Sequence, residues 1–256
     1  MGEREREGQG DGSRREESGL LQRYGLWIVG LGFLLTVLLG TMVDADLRCA
    51  RYFYDPAVSQ HWFLKTTAPW MWLNRYGEYP GWLLAAGAAV LWCGSLRRRA
   101  WVRYRRACAL LALALALGPG LLVNGILKPL WGRPRPHQVE LFGGSQPYRP
   151  WWRPGPLGDG RSFSSGHAAM GYVLVAGVSL VTQRRRGLAL GGALLYGSLV
   201  GLARIVTGAH FVSDVLWSGG LICLTVATLQ AVLPATLSAD IGQGFAPTRG
   251  NVSNTP

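Results

Sequence analysis

Residues 25–43, GLWIVGLGFLLTVLLGTMV, decide what kind of protein this is. The run is 19 residues long and holds no charged side chain. An α-helix rises about 1.5 Å per residue, so roughly 20 apolar residues match the ~30 Å hydrocarbon core of a bilayer. The run is too long for the core of a secretory signal, and no small-residue cleavage site follows it, so it reads as a spanning helix. The residues before it are charged and glycine-rich up to position 19, which predicts a disordered tail.

Further apolar runs follow at 80–96, 107–127, 168–182, 187–202 and 213–233. Only 16% of residues are charged, and mean hydropathy is positive at +0.16. The expected fold is therefore all-α: a polytopic membrane bundle with six transmembrane helices and short interfacial helices. Residues 44–79 supply the interfacial pieces. They mix Asp44, Asp46, Arg48 and Arg51 with Trp62, Phe63, Trp70, Trp72 and Tyr76, and they break at Pro69. Three units result: a cytoplasmic tail over 1–22, a membrane domain over 23–234 and a polar tail over 235–256.

The net charge of +12 would suggest nucleic acid in a soluble chain. Here the arginines sit in short loops and set topology instead. Arg97, Arg98, Arg99, Arg103, Arg105 and Arg106 lie between the second and third spans, and Arg184, Arg185 and Arg186 between the fourth and fifth. Placing these loops in the cytoplasm puts both termini there too. The first–second, third–fourth and fifth–sixth connections then share the opposite side. Gly187/Gly191 and Gly197/Gly201, small residues four apart on the fifth span, predict close helix packing. Cys93, Cys108 and Cys223 fall in apolar runs and Cys49 in a connection, with no pairing that would staple a fold.

Every residue suited to chemistry falls in those opposite-side connections. In RIVTGAHFVSD, residues 204–214, His210 and Asp214 are one helical turn apart. The carboxylate can then hold one imidazole nitrogen and leave the other free to attack. Gly208 can bend the chain so that Arg204 returns to the same spot. The same spacing also serves a structural hydrogen bond or half of a metal site. LKPLWGRPRP, residues 127–136, brings Lys128, Arg133 and Arg135 into a proline-stiffened loop, where planar guanidinium forks suit phosphate oxygens. SFSSGH, residues 162–167, sets Ser164, Ser165, Gly166 and His167 at a helix entrance whose backbone N–H groups suit an anion. Snorkelling cations and a serine cap are the structural alternatives for these two clusters.

Together the clusters resemble the type 2 phosphatidic acid phosphatase family of membrane lipid phosphatases. Its signature is K-x6-R-P, then P-S-G-H, then S-R-x5-H-x3-D. Lys128, Arg135 and Pro136 match the first element, Ser165, Gly166 and His167 the second, and Arg204, His210 and Asp214 the third. Ser164 stands where the family has proline, and Ala203 where it has serine. The first departure removes a loop stiffener and the second a phosphate-binding hydroxyl. Neither touches the nucleophile or its acid, so activity is expected to survive.

The resemblance implies catalytic roles for His210 as nucleophile, Asp214 as its orienting acid and His167 as general acid and base. It implies phosphate binding by Lys128, Arg135, Ser165, Gly166 and Arg204. No metal and no cofactor is expected. The implied substrate is a membrane lipid phosphate, with lipid A or undecaprenyl pyrophosphate ahead of phosphatidylglycerophosphate and phosphatidate. The implied location is the bacterial cytoplasmic membrane, with the site on the extracytoplasmic side and no nucleic-acid partner. The connection between 137 and 163, with Tyr148, Trp151 and Trp152, would cover the headgroup or act as a lid. The rival reading is a transporter or non-catalytic lipid-binding protein. A transporter would be expected to bury ionisable residues at mid-bilayer, and the six runs hold almost none.

Overall fold

A computed structural model of the chain describes residues 24–58 and 61–233. The two expected tails lie outside the described residues. Among the described residues the protein is all-helical, with no strand beyond two isolated bridges.

Helix α1 is Tyr24–Met42. Two short helices follow, α2 (Ala45–Phe53) and α3 (Trp70–Tyr76), the latter starting directly after Pro69. Cys49 therefore sits in a helix, although the sequence suggested a loop. Helix α4 (Tyr79–Ser95) carries proline in its first turn, where the missing N–H costs nothing. A 3-10 turn leads into α5 (Arg105–Leu115), which continues as a π-helical segment, Ala116–Leu127, and then as α6 (Lys128–Trp131). Helices α7 (Gly166–Tyr172) and α8 (Leu174–Gly177) form one broken run, followed by α9 (Arg186–Val206) and α10 (Val212–Val232).

Among the described residues, four stretches are long and apolar enough to cross a membrane: Tyr24–Met42, Arg99–Gln138, Gln183–Val206 and Val212–Val232. The other two expected spans are helical but shorter, at 17 residues for α4 and with breaks in Gly166–Leu180. Ile28, Leu31, Leu35 and Leu38 of α1 are each more than half exposed, as are Trp82, Leu83 and Val90 of α4. Apolar faces of this size need lipid or protein against them.

The core sits where α7 meets α9 and α10. Leu111, Val123, Ala168, Val173, Val175, Ala176, Ile222 and Val226 are almost fully buried there. Close approach depends on glycine at two of the four expected positions. A β-carbon on Gly197 would stand 2.3 Å from the Tyr172 ring, and one on Gly201 would stand 2.2 Å from Val215 Cγ1. Gly187 and Gly191 face open space instead, so the small-residue packing is confined to the inner half of α9.

The π-helical stretch contains Gly118-Pro119-Gly120. Proline has no N–H and crowds the preceding turn, so the backbone widens there rather than breaking. The Asn124 side-chain amide donates to Pro119 O at 2.7 Å, and the helix runs on to deliver Lys128 at its far end.

The two ends of the bundle differ in charge chemistry. At one end Arg105 bonds Ser95, and Arg106 donates to Gln230 O and Leu233 O. Cations there close carbonyl-rich helix C-termini. The other end gathers the close of α6, the entrance of α7 and the turn from α9 to α10.

Candidate active site

The turn between α9 and α10 is built by Gly208, whose φ of +67° is open to glycine at no steric cost. It folds the chain back so that Ala209 N and His210 N both donate to Arg204 O, at 2.9 and 3.2 Å. Arg204 and His210 are thereby held beside one another. Asp214 lies in the first turn of α10, where its Oδ2 accepts the Phe211 N–H at 2.9 Å. That is half of a capping box, at a helix end that favours negative charge.

His210 is 2% exposed and Asp214 is fully buried. Nδ1 of His210 stands 3.5 Å from Asp214 Oδ2. This is longer than the bonds which that oxygen receives from Ser162 Oγ (2.6 Å) and Phe211 N, and Nδ1 has no closer partner. The carboxylate is thus fixed by other donors, and the imidazole faces it across a short gap. Nδ1 is turned to the acid and Nε2 is left for chemistry.

Lys128 bonds Asn124 Oδ1 at 2.7 Å and crosses directly over Gly166. This contact joins the first sequence cluster to the second. Ser165 caps α7 with its hydroxyl, and its N–H donates to Asp214 O at 3.3 Å. Its backbone donor is therefore spent. Of the pair expected to hold phosphate, Gly166 retains the first-turn N–H character that a helix leaves unpaired. Arg204 is nearly buried; its guanidinium donates to Asn74 on α3, while its Nε has no partner. Arg135 is half-buried beside Pro136, its backbone N–H held by Gln138 Oε1.

The charges converge on His167. The positive charges of Arg204, Lys128 and Arg135 all act on its imidazole, as does His210. Burial pulls His210 down to about 4 against the opposing pull of Asp214. All three clusters therefore act on one spot, with His210 neutral near pH 7 and surrounded by cations. Such a site is poised for an anion, which would offset the cations and draw a proton onto His167.

Four features were not legible in the sequence. Glu78, just ahead of α4, places Oε2 3.8 Å from His167 Nε2. Asn74 anchors Arg204, and Arg161 adds its charge near Lys128. Arg133, grouped above with the anion-binding cations, is wholly buried and committed to Asp214 and Asp46. It is no phosphate ligand in this arrangement. A cavity of about 230 Å³ opens beside the site, lined by Glu78, Asn124, Lys128 and His167 together with Trp82, Leu115 and Met170. Among the described residues no group of three or more His, Cys, Asp or Glu side chains is placed to hold a metal ion.

The 137–163 connection is pinned to the bundle. Trp131 Nε1 donates to Trp151 O at 2.6 Å, the His137 N–H donates to Gly208 O at 3.1 Å, and Tyr148 packs on Phe211. Ala50, Trp62, Val139, Phe142 and Phe211 form a small second core beneath it. Ser164, at the first departure from the family signature, is buried with no partner for its hydroxyl. Ala203, at the second, is buried within α9.

A family model described as the PAP2 superfamily matches residues 107–237. The chain is 37% identical over 134 residues to a lipid A 4'-phosphatase of Francisella tularensis subsp. novicida, covering 52% of this chain and 60% of that protein. It is 38% identical over 103 residues to a lipid A 4'-phosphatase of Rhizobium etli, covering 40% of each. It is 35% identical over 111 residues to one of Rhizobium leguminosarum, covering 42% of this chain and 48% of that protein. The matches thus span roughly half the length of these curated relatives. No solved structure matches.

Proposed function

The chain belongs to the PAP2 superfamily, and from that membership we propose that it is an integral-membrane phosphatase acting on a lipid phosphate. Lipid A, the substrate in the names of its relatives, is favoured, with undecaprenyl pyrophosphate next. The observation that carries this reading is the convergence of Lys128, Arg135 and Arg204 on His167, beside a His210 backed by Asp214. The cavity, lined by Lys128 and His167 as well as by Trp82, Leu115 and Met170, suits an amphiphile whose phosphate is already at the membrane boundary.

In this reading the helices cross the bilayer six times, with α4 and the broken α7–α8 run as the short crossings. The arginine-rich end faces the cytoplasm of a bacterial cell, and the site faces the extracytoplasmic side. The connection over 137–163 lies above the headgroup.

His210 Nε2 attacks phosphorus in line while the bond to the leaving oxygen breaks, giving a phosphohistidine. Asp214 holds the Nδ1–H tautomer and stabilises the imidazolium that forms. Lys128, Arg135, Arg204 and the Gly166 N–H bind the equatorial oxygens, where phosphoryl transfer concentrates charge. His167 protonates the leaving oxygen and then takes a proton from the hydrolytic water. A phosphomonoester, with a second pKa near ~6, can bring that proton with it as the monoanion.

The test is phosphate release in detergent from lipid A, undecaprenyl pyrophosphate and short-chain lipid phosphates, with His210→Ala as the control. Release that vanishes in the variant is expected. Wild-type protein that binds these lipids without releasing phosphate would favour the lipid-binding or transport reading. Undiminished release by His210→Ala would end the assignment of the nucleophile.

A further inference from the structure

Arg133 reaches the site only through other side chains. Its Nη1 donates to Asp214 Oδ1 at 2.5 Å and to Ser213 Oγ at 2.8 Å. Nη2 donates to Asp46 Oδ2 at 2.7 Å and Nε to Arg149 O at 2.9 Å, while the guanidinium lies 4.4 Å from the centre of the Phe211 ring. Asp46, on α2, accepts from Ser213 N at 2.8 Å and from Ser213 Oγ at 2.6 Å. Asp46 and Ser213 are separated by 167 positions in the chain, and Asp46 lies outside the residues matched by the family model.

The charges of this buried cluster do not cancel. Two carboxylates and one guanidinium leave one surplus negative charge. Among the described residues, His210 is the other basic side chain within salt-bridge distance of either carboxylate. Leaving a carboxylate in a dry interior without a compensating positive charge is costly. The shortfall is made good at one moment in the proposed reaction. The Nε2 lone pair of His210 forms the N–P bond, and the P–O electron pair departs with the leaving oxygen, which takes the proton of His167. The ring keeps its Nδ1 proton and becomes positive directly above Asp214.

We propose that Asp46 is a positioning residue that acts on His210 through Arg133 and Asp214, so that the buried cluster reaches charge balance when His210 is phosphorylated. Resting on the phosphatase reading, this makes the cluster complementary to the charged intermediate rather than to the free enzyme. With Asp46 neutral, Arg133 would cancel Asp214 outright and the ring's new charge would meet a neutral pair. Asp46 also anchors the first turn of α10, so its charge and its hydrogen bonds need separate tests.

Asp46→Asn keeps the shape, removes the charge and turns one of the two accepting oxygens into an amide donor. Its kcat for phosphate release is expected to fall about 10- to 100-fold, the scale on which loss of a group that orients a site residue acts. KM and inhibition by inorganic phosphate are expected to stay within about threefold, because Lys128, Arg135 and Arg204 are untouched. Asp46→Glu, which restores the charge, should recover most of kcat. Ser213→Ala removes hydrogen bonds and leaves every charge, so it should lose far less kcat than Asp46→Asn. An Asp46→Asn enzyme with wild-type kcat overturns the inference. So does a Ser213→Ala loss as deep as that of Asp46→Asn, which would make the role structural. If Asp46→Asn does not fold, the Glu variant decides, and loss of kcat in folded Asp46→Glu counts against the proposal. Wild-type protein without phosphate release would instead sink the phosphatase reading itself.

Discussion

Lys128 Nζ lies 2.6 Å from the point where a β-carbon on Gly166 would stand, with Asn124 Oδ1 at 3.1 Å. A methyl group there collides with the end of a flexible side chain, not with backbone. The fold can accommodate it by moving the ammonium, and the phosphate site takes the displacement. Gly166→Ala is therefore expected to raise KM and the inhibition constant of inorganic phosphate about tenfold, in keeping with ~1.5 kcal/mol for a charge-assisted hydrogen bond. Thermal unfolding in detergent should move little. Unchanged phosphate inhibition in the variant would mean that Lys128 does not hold the anion.

Asp214 and His210 should separate in stability though both abolish turnover. Asp214 accepts from Arg133, Ser162 and Phe211, so Asp214→Ala takes the acceptor from three buried donors, although Arg133 keeps its pairing with Asp46. A buried donor left without its acceptor costs about 1–3 kcal/mol. His210→Ala leaves every one of those bonds in place and should cost distinctly less. The comparison needs only unfolding temperatures of the two variants. Equal losses would refute the view that Asp214 is a structural hub as well as a catalytic acid.

The contrast shows what the chain discloses along its length. Lys128 and Arg135, Gly166 and His167, and Arg204, His210 and Asp214 sit in three short segments, each with local spacing that carries chemistry. Asp46, Asn74 and Glu78 meet the site only through folding. The Asn74–Arg204 bond joins residues 130 positions apart, and no periodicity reports such a contact. Arg133 misleads because a guanidinium between two prolines looks the same whether it will meet phosphate or carboxylate. The apolar runs gave the six helical stretches, but hydropathy is blind to the breaks within Gly166–Leu180 and to a π-helical turn that an asparagine side chain completes.

Acidification should weaken the fold in a defined window. His210 falls from 6.5 to about 4 through burial, so the unfolded chain binds its proton at higher pH than the folded one. Stability is then fully present above ~6.5 and is lost toward 4, at about 1.4 kcal/mol per pH unit for this group. Unfolding temperatures between pH 7 and 4.5 should fall more steeply for the wild type than for His210→Gln. Saturating inorganic phosphate should flatten the decline by favouring the protonated His167. A parallel decline in both proteins would show that neutral His210 is not what acid attacks.

Gly208 tests whether the turn, rather than the residues on it, makes the site. Its φ is +67°, and a β-carbon there would stand 2.2 Å from Trp62 Cε2. The left-handed conformation alone costs a side chain about 1–2 kcal/mol. The contact adds to this, because Trp62 is 3% exposed and packed in the second core, with no room to retreat. Gly208→Ala should therefore destabilise the protein by about 2–4 kcal/mol, the strain and the overpacking together. Relief by tilting the turn would loosen the bonds from Ala209 and His210 to Arg204 O, and also the His137 contact to Gly208 O. His210 would then shift relative to the phosphate-binding cations, and kcat should fall by well over tenfold even in the folded fraction, since about 1 Å of misplacement can cost 100-fold. Full specific activity in folded Gly208→Ala would show that the nucleophile's position does not depend on this turn.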